Sequence, residues 1–144
     1  MEPRLLLATP SPSEISPLIA AGYNLATALG RDVVVLHVVT SERLEVLKAD
    51  RPPDARFHDV LLGQLADDLR AHIETLVTER GPKVEVRFVE GDPANGVLQA
   101  LEHGAWECVV IGVRSRSRVG KLLLGSTAQQ ILLQAPCPVY SVRI

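Results

Sequence analysis

The run Val33-Val34-Val35-Leu36-His37-Val38-Val39 is apolar on both of its alternating sets of positions. A strand written this way is covered on both faces, which is the habit of parallel sheets flanked by helices. The rest of the chain supplies matching parts in alternation. Leu5–Thr9 reads as another buried strand, closed by Pro10 and Pro12, which hold the residues before them extended. Ser16-Pro17 has the form of a helix cap with proline at the first helical position, and the helix through Leu18, Ala21, Leu25 and Ala28 stops at Gly30. Thr40 to Asp54 is polar, contains Pro52-Pro53 and reads as mostly loop. Phe57, Leu61, Leu65, Leu69, Ile73 and Leu76 lay out a long amphipathic helix ended by Arg80-Gly81-Pro82.

Val84–Val89 is the third strand, with Glu85 and Arg87 alternating against β-branched residues. Asp92-Pro93 caps a helix with the stripe Val97, Leu98 and Leu101, and Glu107–Ile111 makes the fourth strand. Gly125-Ser126 opens a last helix through Ile131 and Leu132, and Val139–Ile144 is the fifth strand. Strand and helix alternate throughout, without a linker or repeat. The expected fold is α/β, a doubly wound, Rossmann-like five-stranded parallel sheet with helices on both faces, in one domain over residues 1–144.

A chain of 144 residues buries about 68–70% of its unfolded surface and needs no metal or disulfide to hold a core. Aromatic residues are only 3% of it, so that core is aliphatic. A net charge of −2 gives no reason to expect nucleic acid or an anionic membrane as a partner, although a local basic patch runs from Arg114 to Lys121. Leu5-Leu6-Leu7-Ala8 is too short for a signal peptide, and no apolar stretch reaches the roughly 20 residues of a membrane span. Cys108 and Cys137 share no CxxC spacing and lie in apolar segments, so both are expected as buried, reduced thiols of a cytoplasmic protein.

In doubly wound sheets ligands sit outside the carboxyl ends of the strands, where the strand order reverses. The segments to watch therefore follow Thr9, Val39 and Ile111. The most informative is Gly112 to Ser126. The fourth strand is expected to end at Gly112, where the missing side chain lets a ligand approach the backbone. A loop with Arg114, Arg116, Arg118 and Lys121 follows, and the chain enters its last helix at Gly125-Ser126-Thr127. A helix start with two hydroxyl side chains offers N–H groups and a positive dipole end to a phosphate. The same residues also read as a plain capping box, Ser126 with Gln129, which needs no ligand.

Other chemistry fails on inspection. Gly120-Lys121 is followed by Leu122 where a P-loop needs Ser or Thr, and Ser115 stands where its first glycine belongs. No G-x-G-x-x-G follows the first strand, and no G-x-S-x-G elbow is present. His37, His58, His72 and His103 are scattered, without metal-ligand spacing, and Asp67-Asp68 is most simply a solvated helix face. No acid, base and nucleophile come together, so the chain is expected not to be an enzyme.

At the C-terminal third the chain resembles the universal stress protein family. The resemblance lies in Val109-Val110-Ile111-Gly112, Gly125-Ser126-Thr127-Ala128 and Ala135-Pro136-Cys137-Pro138-Val139, with Gly91-Asp92-Pro93-Ala94 similar to the entry of the family's third main helix. It implies the strand order 3-2-1-4-5 and a homodimer joined through the last strand, Val139–Arg143. Family members that bind ATP carry two glycines three positions apart, then nine residues, then Gly-Ser or Gly-Thr. Gly112 and Gly125-Ser126 match that motif, and Ser115 replaces its second glycine. Pro10 stands where such members carry an aspartate near the adenosine.

The site that the resemblance implies comprises Ala8, Thr9 and Val38, then Gly112, Val113, Arg114 and Ser115, then Gly125, Ser126 and Thr127. Its ligand would be ATP or another adenine nucleotide, with no metal beyond the Mg that accompanies a nucleotide. Arginines 114, 116 and 118 add charge suited to phosphate oxygens. Two functions follow: a nucleotide-binding regulatory module, favoured by Gly112 and Gly125-Ser126-Thr127, or a homodimeric adaptor with a degenerate cleft, favoured by Pro10 and Ser115. The sequence does not identify the protein partner of either.

Overall fold

Leu5, Leu6 and Leu7 are all fully buried, yet they point to opposite sides of one strand, and the fold is built to satisfy both sides. The strand is β1 (Arg4–Thr9), and it pairs in parallel with β2 (Val33–Val39) through Leu5↔Val33 to Thr9↔His37 and with β4 (Trp106–Val113) on its other edge. β3 (Val84–Glu90) extends the sheet beyond β2, and β5 (Val139–Arg143) beyond β4. All four pairings are parallel, and the order is β3-β2-β1-β4-β5. This computed structural model describes residues 2–9, 15–49, 57–114 and 124–144.

Five helices complete the described chain: α1 (Ile15–Leu29), α2 (Ser41–Lys48), α3 (Phe57–Glu74), α4 (Pro93–Glu102) and α5 (Ser126–Gln134). Because side chains alternate along a strand, the sheet feeds two separate cores. Leu5, Leu7, Val33, Val35, Val86 and Val110 pack against Leu18, Ile19 and Ala26 of α1 and Leu69 and Ile73 of α3. Leu6, Val34, Leu36, Val38, Val109, Ile111 and Val113 pack on the other face against Val97 and Leu101 of α4 and Ala128 and Ile131 of α5. The expected doubly wound parallel sheet and its strand order are those of the structure. Among the described residues no helix is long and apolar enough to cross a membrane.

Several local expectations are corrected. Most of the expected loop after Thr40 is α2. Thr40 caps it by accepting from the Arg43 N–H, and Leu44, fully buried with Val39 and Leu61, anchors it. α1 is already helical at Ile15, so Ser16 lies inside it and Pro17 is its third residue, where a missing N–H costs nothing because first-turn donors have no partner. α3 ends at Glu74, short of Gly81. The Leu76 N–H turns back to the Ile73 carbonyl at 2.8 Å, and the Thr78 N–H donates to the Tyr23 hydroxyl at 3.3 Å. Gly81 stays small because a side chain there would strike that hydroxyl. β4 runs on past Gly112 to Val113, since Gly112 pairs with Val142 and Val113 with Arg143.

Other signals hold as read. Asp92 caps α4 by accepting from the Asn95 N–H at 3.0 Å, with Pro93 in the first turn. Gly30 closes α1 at φ 65, a conformation that favours glycine.

Two helical glycines separate packing from propensity. A methyl group on Gly63 of α3 would meet open space, whereas one on Gly96 of α4 would lie 2.6 Å from Val38 Cγ2. Gly63→Ala is expected to stabilise the protein by up to about 1 kcal/mol through helix propensity alone. Gly96→Ala gains the same propensity, but overpacking costs about 1–3 kcal/mol, so it should destabilise. In a Val38→Ala background the second substitution should become neutral or stabilising. Urea unfolding of the four variants checks this, and a Gly96→Ala protein as stable as the parent would contradict the close seating of α4 on β2.

Candidate functional site

β1 is the strand at which the winding reverses, since β2 and β3 lie to one side of it and β4 and β5 to the other. In parallel sheets the place for a crevice is outside the carboxyl ends of the strands at such a reversal. A cleft of about 570 Å³ occupies it. Ala8, Leu36, Val38 and Ile111 of the sheet line it, with Pro93 and Val97 of α4 on one side and Thr127, Ala128 and Ile131 of α5 on the other. Thr9, Gly112, Val113, Arg114, Leu124, Gly125 and Ile144 complete the lining. The volume lies within the range of about 300–1,000 Å³ usual for small-molecule sites.

Eight of the residues named from sequence, Ala8, Thr9, Val38, Gly112, Val113, Arg114, Gly125 and Thr127, line this one cleft. Ser126 does not line it and is exposed in the first turn of α5. Ser115, Pro10 with Ser11, Pro12 and Ser13, and Arg116, Arg118 and Lys121 lie outside the described residues. The apolar walls went unnamed: Leu36, Val97, Ala128, Ile131 and Ile144. Leu36 and Val38 share the strand parity of Ala8, and that periodicity was the available signal.

The expected capping box is absent. Gly125, not Ser126, is the N-cap of α5, and it has no side chain to cap with. Gln129 turns its Nε2 to the Leu124 carbonyl at 2.9 Å instead of reaching back to Ser126. The positive end of the α5 dipole and its first-turn N–H groups thus meet the cleft at Gly125 and Thr127 without a capping side chain from Gly125. Gly112 also differs from expectation. A methyl group there would lie 2.6 Å from Ile144 Cδ1, so the space above it already holds the tip of a flexible side chain.

His37 and Thr9 are the buried polar residues among those described, at 3% and 6% exposure, and they bond to each other. His37 Nδ1 lies 3.0 Å from the Thr9 carbonyl and 3.1 Å from the Thr9 hydroxyl. A carbonyl only accepts, so Nδ1 carries the proton; the Thr9 hydroxyl then donates to the Leu36 carbonyl at 3.2 Å. Burial lowers the pKa of the imidazole, against the upward pull of the Thr9 carbonyl, and the Arg43 cation lowers it further. Burial likewise pushes the Cys108 thiol up to about 11, and Cys137 is raised for the same first reason. Both cysteines are free; Cys108 is buried as expected, whereas Cys137 is half-buried. Among the described residues no group of three His, Cys, Asp or Glu is placed to hold a metal ion.

Comparison with known proteins agrees with this architecture. The model of the universal stress protein family matches residues 2–143. A universal stress protein of Mycolicibacterium smegmatis is 37% identical over 134 residues, which cover 88% of this chain and 97% of that relative. The structure of universal stress protein UspA from Lactobacillus plantarum superposes with a TM-score of 0.68 at 18% identity, covering 99% of each chain. That of the universal stress protein from Archaeoglobus fulgidus in complex with dAMP gives 0.58 at 16% identity, covering 98% of this chain and 97% of the other. At such identities the superpositions speak for the fold.

The His37 environment fixes a pH dependence. Its folded pKa lies below the ordinary 6.5, so as pH falls the unfolded chain takes up the proton first and stability drops. The loss begins near the unfolded value and levels off below the folded one. His37→Asn removes this linkage. The stability difference between wild type and variant should therefore fall below about pH 6.5 with a slope of at most about 1.4 kcal/mol per pH unit. Urea unfolding of both proteins from pH 7.5 to 4.5 measures it, and a constant difference would contradict a buried neutral imidazole.

Proposed function

The chain belongs to the universal stress protein family, and we propose that this member is a regulatory module holding an adenine nucleotide, ATP or AMP, in the cleft at the carboxyl ends of its strands. One observation carries the reading: a single cleft has an apolar floor and ends at a glycine-capped helix N-terminus beside Thr127 and Arg114. The floor suits a base and ribose, and the helix end suits phosphates. A fold neighbour in complex with dAMP supports the choice of an adenine nucleotide. The module binds and signals without a catalytic step, works in the cytoplasm and takes Mg only as the companion of a nucleotide.

Gly125→Val tests the placement, with urea unfolding of the variant to check that it remains folded. Gly125 has extended backbone angles, φ −63 and ψ 160, and a Cβ added there meets no atom of the described residues within 4 Å. Calorimetry should show ATP affinity reduced at least about tenfold in this variant, the scale of one lost charged hydrogen bond. An unchanged affinity would contradict the placement. Because Pro10 supplies no carboxylate, a titration series of ATP, GTP and inorganic triphosphate should show ATP and GTP binding the wild type similarly, and more weakly as salt rises. Tight, salt-insensitive binding selective for adenine would overturn that reading of Pro10.

The adaptor reading is favoured by a different observation. In the described sheet β5 pairs on one edge alone, with β4. Tyr140 on β5 is 45% exposed, and Leu133 on nearby α5 is 84% exposed. An open apolar edge is an aggregation hazard unless paired, so we propose a homodimer through Val139–Arg143. Light scattering at micromolar concentration should give a dimer that Tyr140→Glu dissociates; a stable wild-type monomer would refute it.

A further inference from the structure

His37 stands between Leu36 and Val38, both of which line the cleft, and alternation along β2 sends its own side chain to the opposite face. No motif marks it, yet it is 3% exposed and carries a polar ring into an aliphatic core. Burying such a ring without partners is costly, so its bonds matter. Both bonds at Nδ1 go to Thr9, the last residue of β1 and a lining residue of the cleft. Phe88 of β3 holds the other side of the ring, with centroids 4.9 Å apart.

We propose that His37 is a positioning residue for the cleft: from the far side of the sheet it fixes Thr9, and through Thr9 the point at which the chain leaves β1 beside the ligand. Thr9 is the last residue of β1 in register with β2, and its partner in that pair is His37 itself. The Nδ1 proton takes that carbonyl at 3.0 Å. With Nδ1 occupied as a donor, the Thr9 hydroxyl is committed to the Leu36 carbonyl, so its oxygen has a set direction rather than a free rotor. Thr9, at the cleft's β1 corner, is therefore fixed before any ligand arrives. Preorganisation of this kind raises affinity by removing ordering costs from the binding step. The imidazole itself touches no ligand.

The inference rests on the cleft being the nucleotide site, and its test separates the two. ATP is titrated into wild type, His37→Asn and His37→Leu by calorimetry at a temperature where all three are folded. The Asn side chain keeps a donor amide at the place of Nδ1; Leu fills the volume without one. Affinity should be within about threefold of wild type for Asn and at least tenfold lower for Leu. Equal affinity of Leu and wild type, or equal loss in Asn and Leu, would overturn the positioning role. Amide hydrogen exchange of the three free proteins gives a readout that needs no ligand. The Thr9 and Val38 amides should exchange faster in the Leu variant alone. If wild type binds no ATP, the nucleotide reading fails by itself, while uniform exchange across the three proteins would still overturn the fixing of Thr9 by His37.

Discussion

The structure depends on one requirement, that β1 and β2 be covered on both faces at once. Leu5 and Leu7 demand helices on one side, and Leu6 demands them on the other. A single parallel sheet meets this only if the chain crosses over one face, returns to the centre and crosses over the other. α1 and α3 then cover one side, and α4 and α5 the other. The reversal falls at β1, and the crevice there follows from it. The cleft is thus a consequence of how the aliphatic core is divided. Close seating keeps it narrow: α4 approaches β2 near enough that position 96 has no room for a methyl group beside Val38.

Where burial patterns were strong, the elements could be read from the residues. Val33–Val39 is a strand over the very span of its apolar run, and every residue of it is buried. Asp92-Pro93 worked because a cap and a first-turn proline are local events. α2 was missed because its stability is not local. Its sequence is polar, and one buried leucine at position 44, meeting Val39 and Leu61 from elsewhere in the chain, holds it. The length of α3 was overestimated because Leu76 fits the apolar period but sits 38% exposed after the helix has closed. β4 was read too short because pairing with β5, a tertiary event, carries a glycine through the strand.

The candidate site divides in the same way. Glycines and hydroxyls at strand and helix ends pointed to one corner of the molecule, and eight of the named residues line one cleft there. The capping box was a fair local reading of Ser126 and Gln129, but the helix begins one residue earlier than such a box requires. Strand parity could have grouped Leu36 with Val38 and Ala8, but nothing in a run of valines distinguishes a face that lines a cavity from one that meets a helix, and His37 carried no signal at all. His37 in particular acquires meaning only when β1 and β2 are set in register and Thr9 falls beside it.

The central claim is that phosphate-bearing adenine nucleotides enter the crevice at β1 and β4 and end against the start of α5. An NMR titration of uniformly ¹⁵N-labelled protein with ATP tests it most directly, because it reports every backbone amide together. The account predicts the largest shifts at the Ser126, Thr127 and Ala128 amides of the α5 first turn and at Thr9, Gly112 and Val113, with α3 and the outer edge of β3 unmoved. Shifts clustered away from those amides, or none with ATP at millimolar concentration, would contradict it.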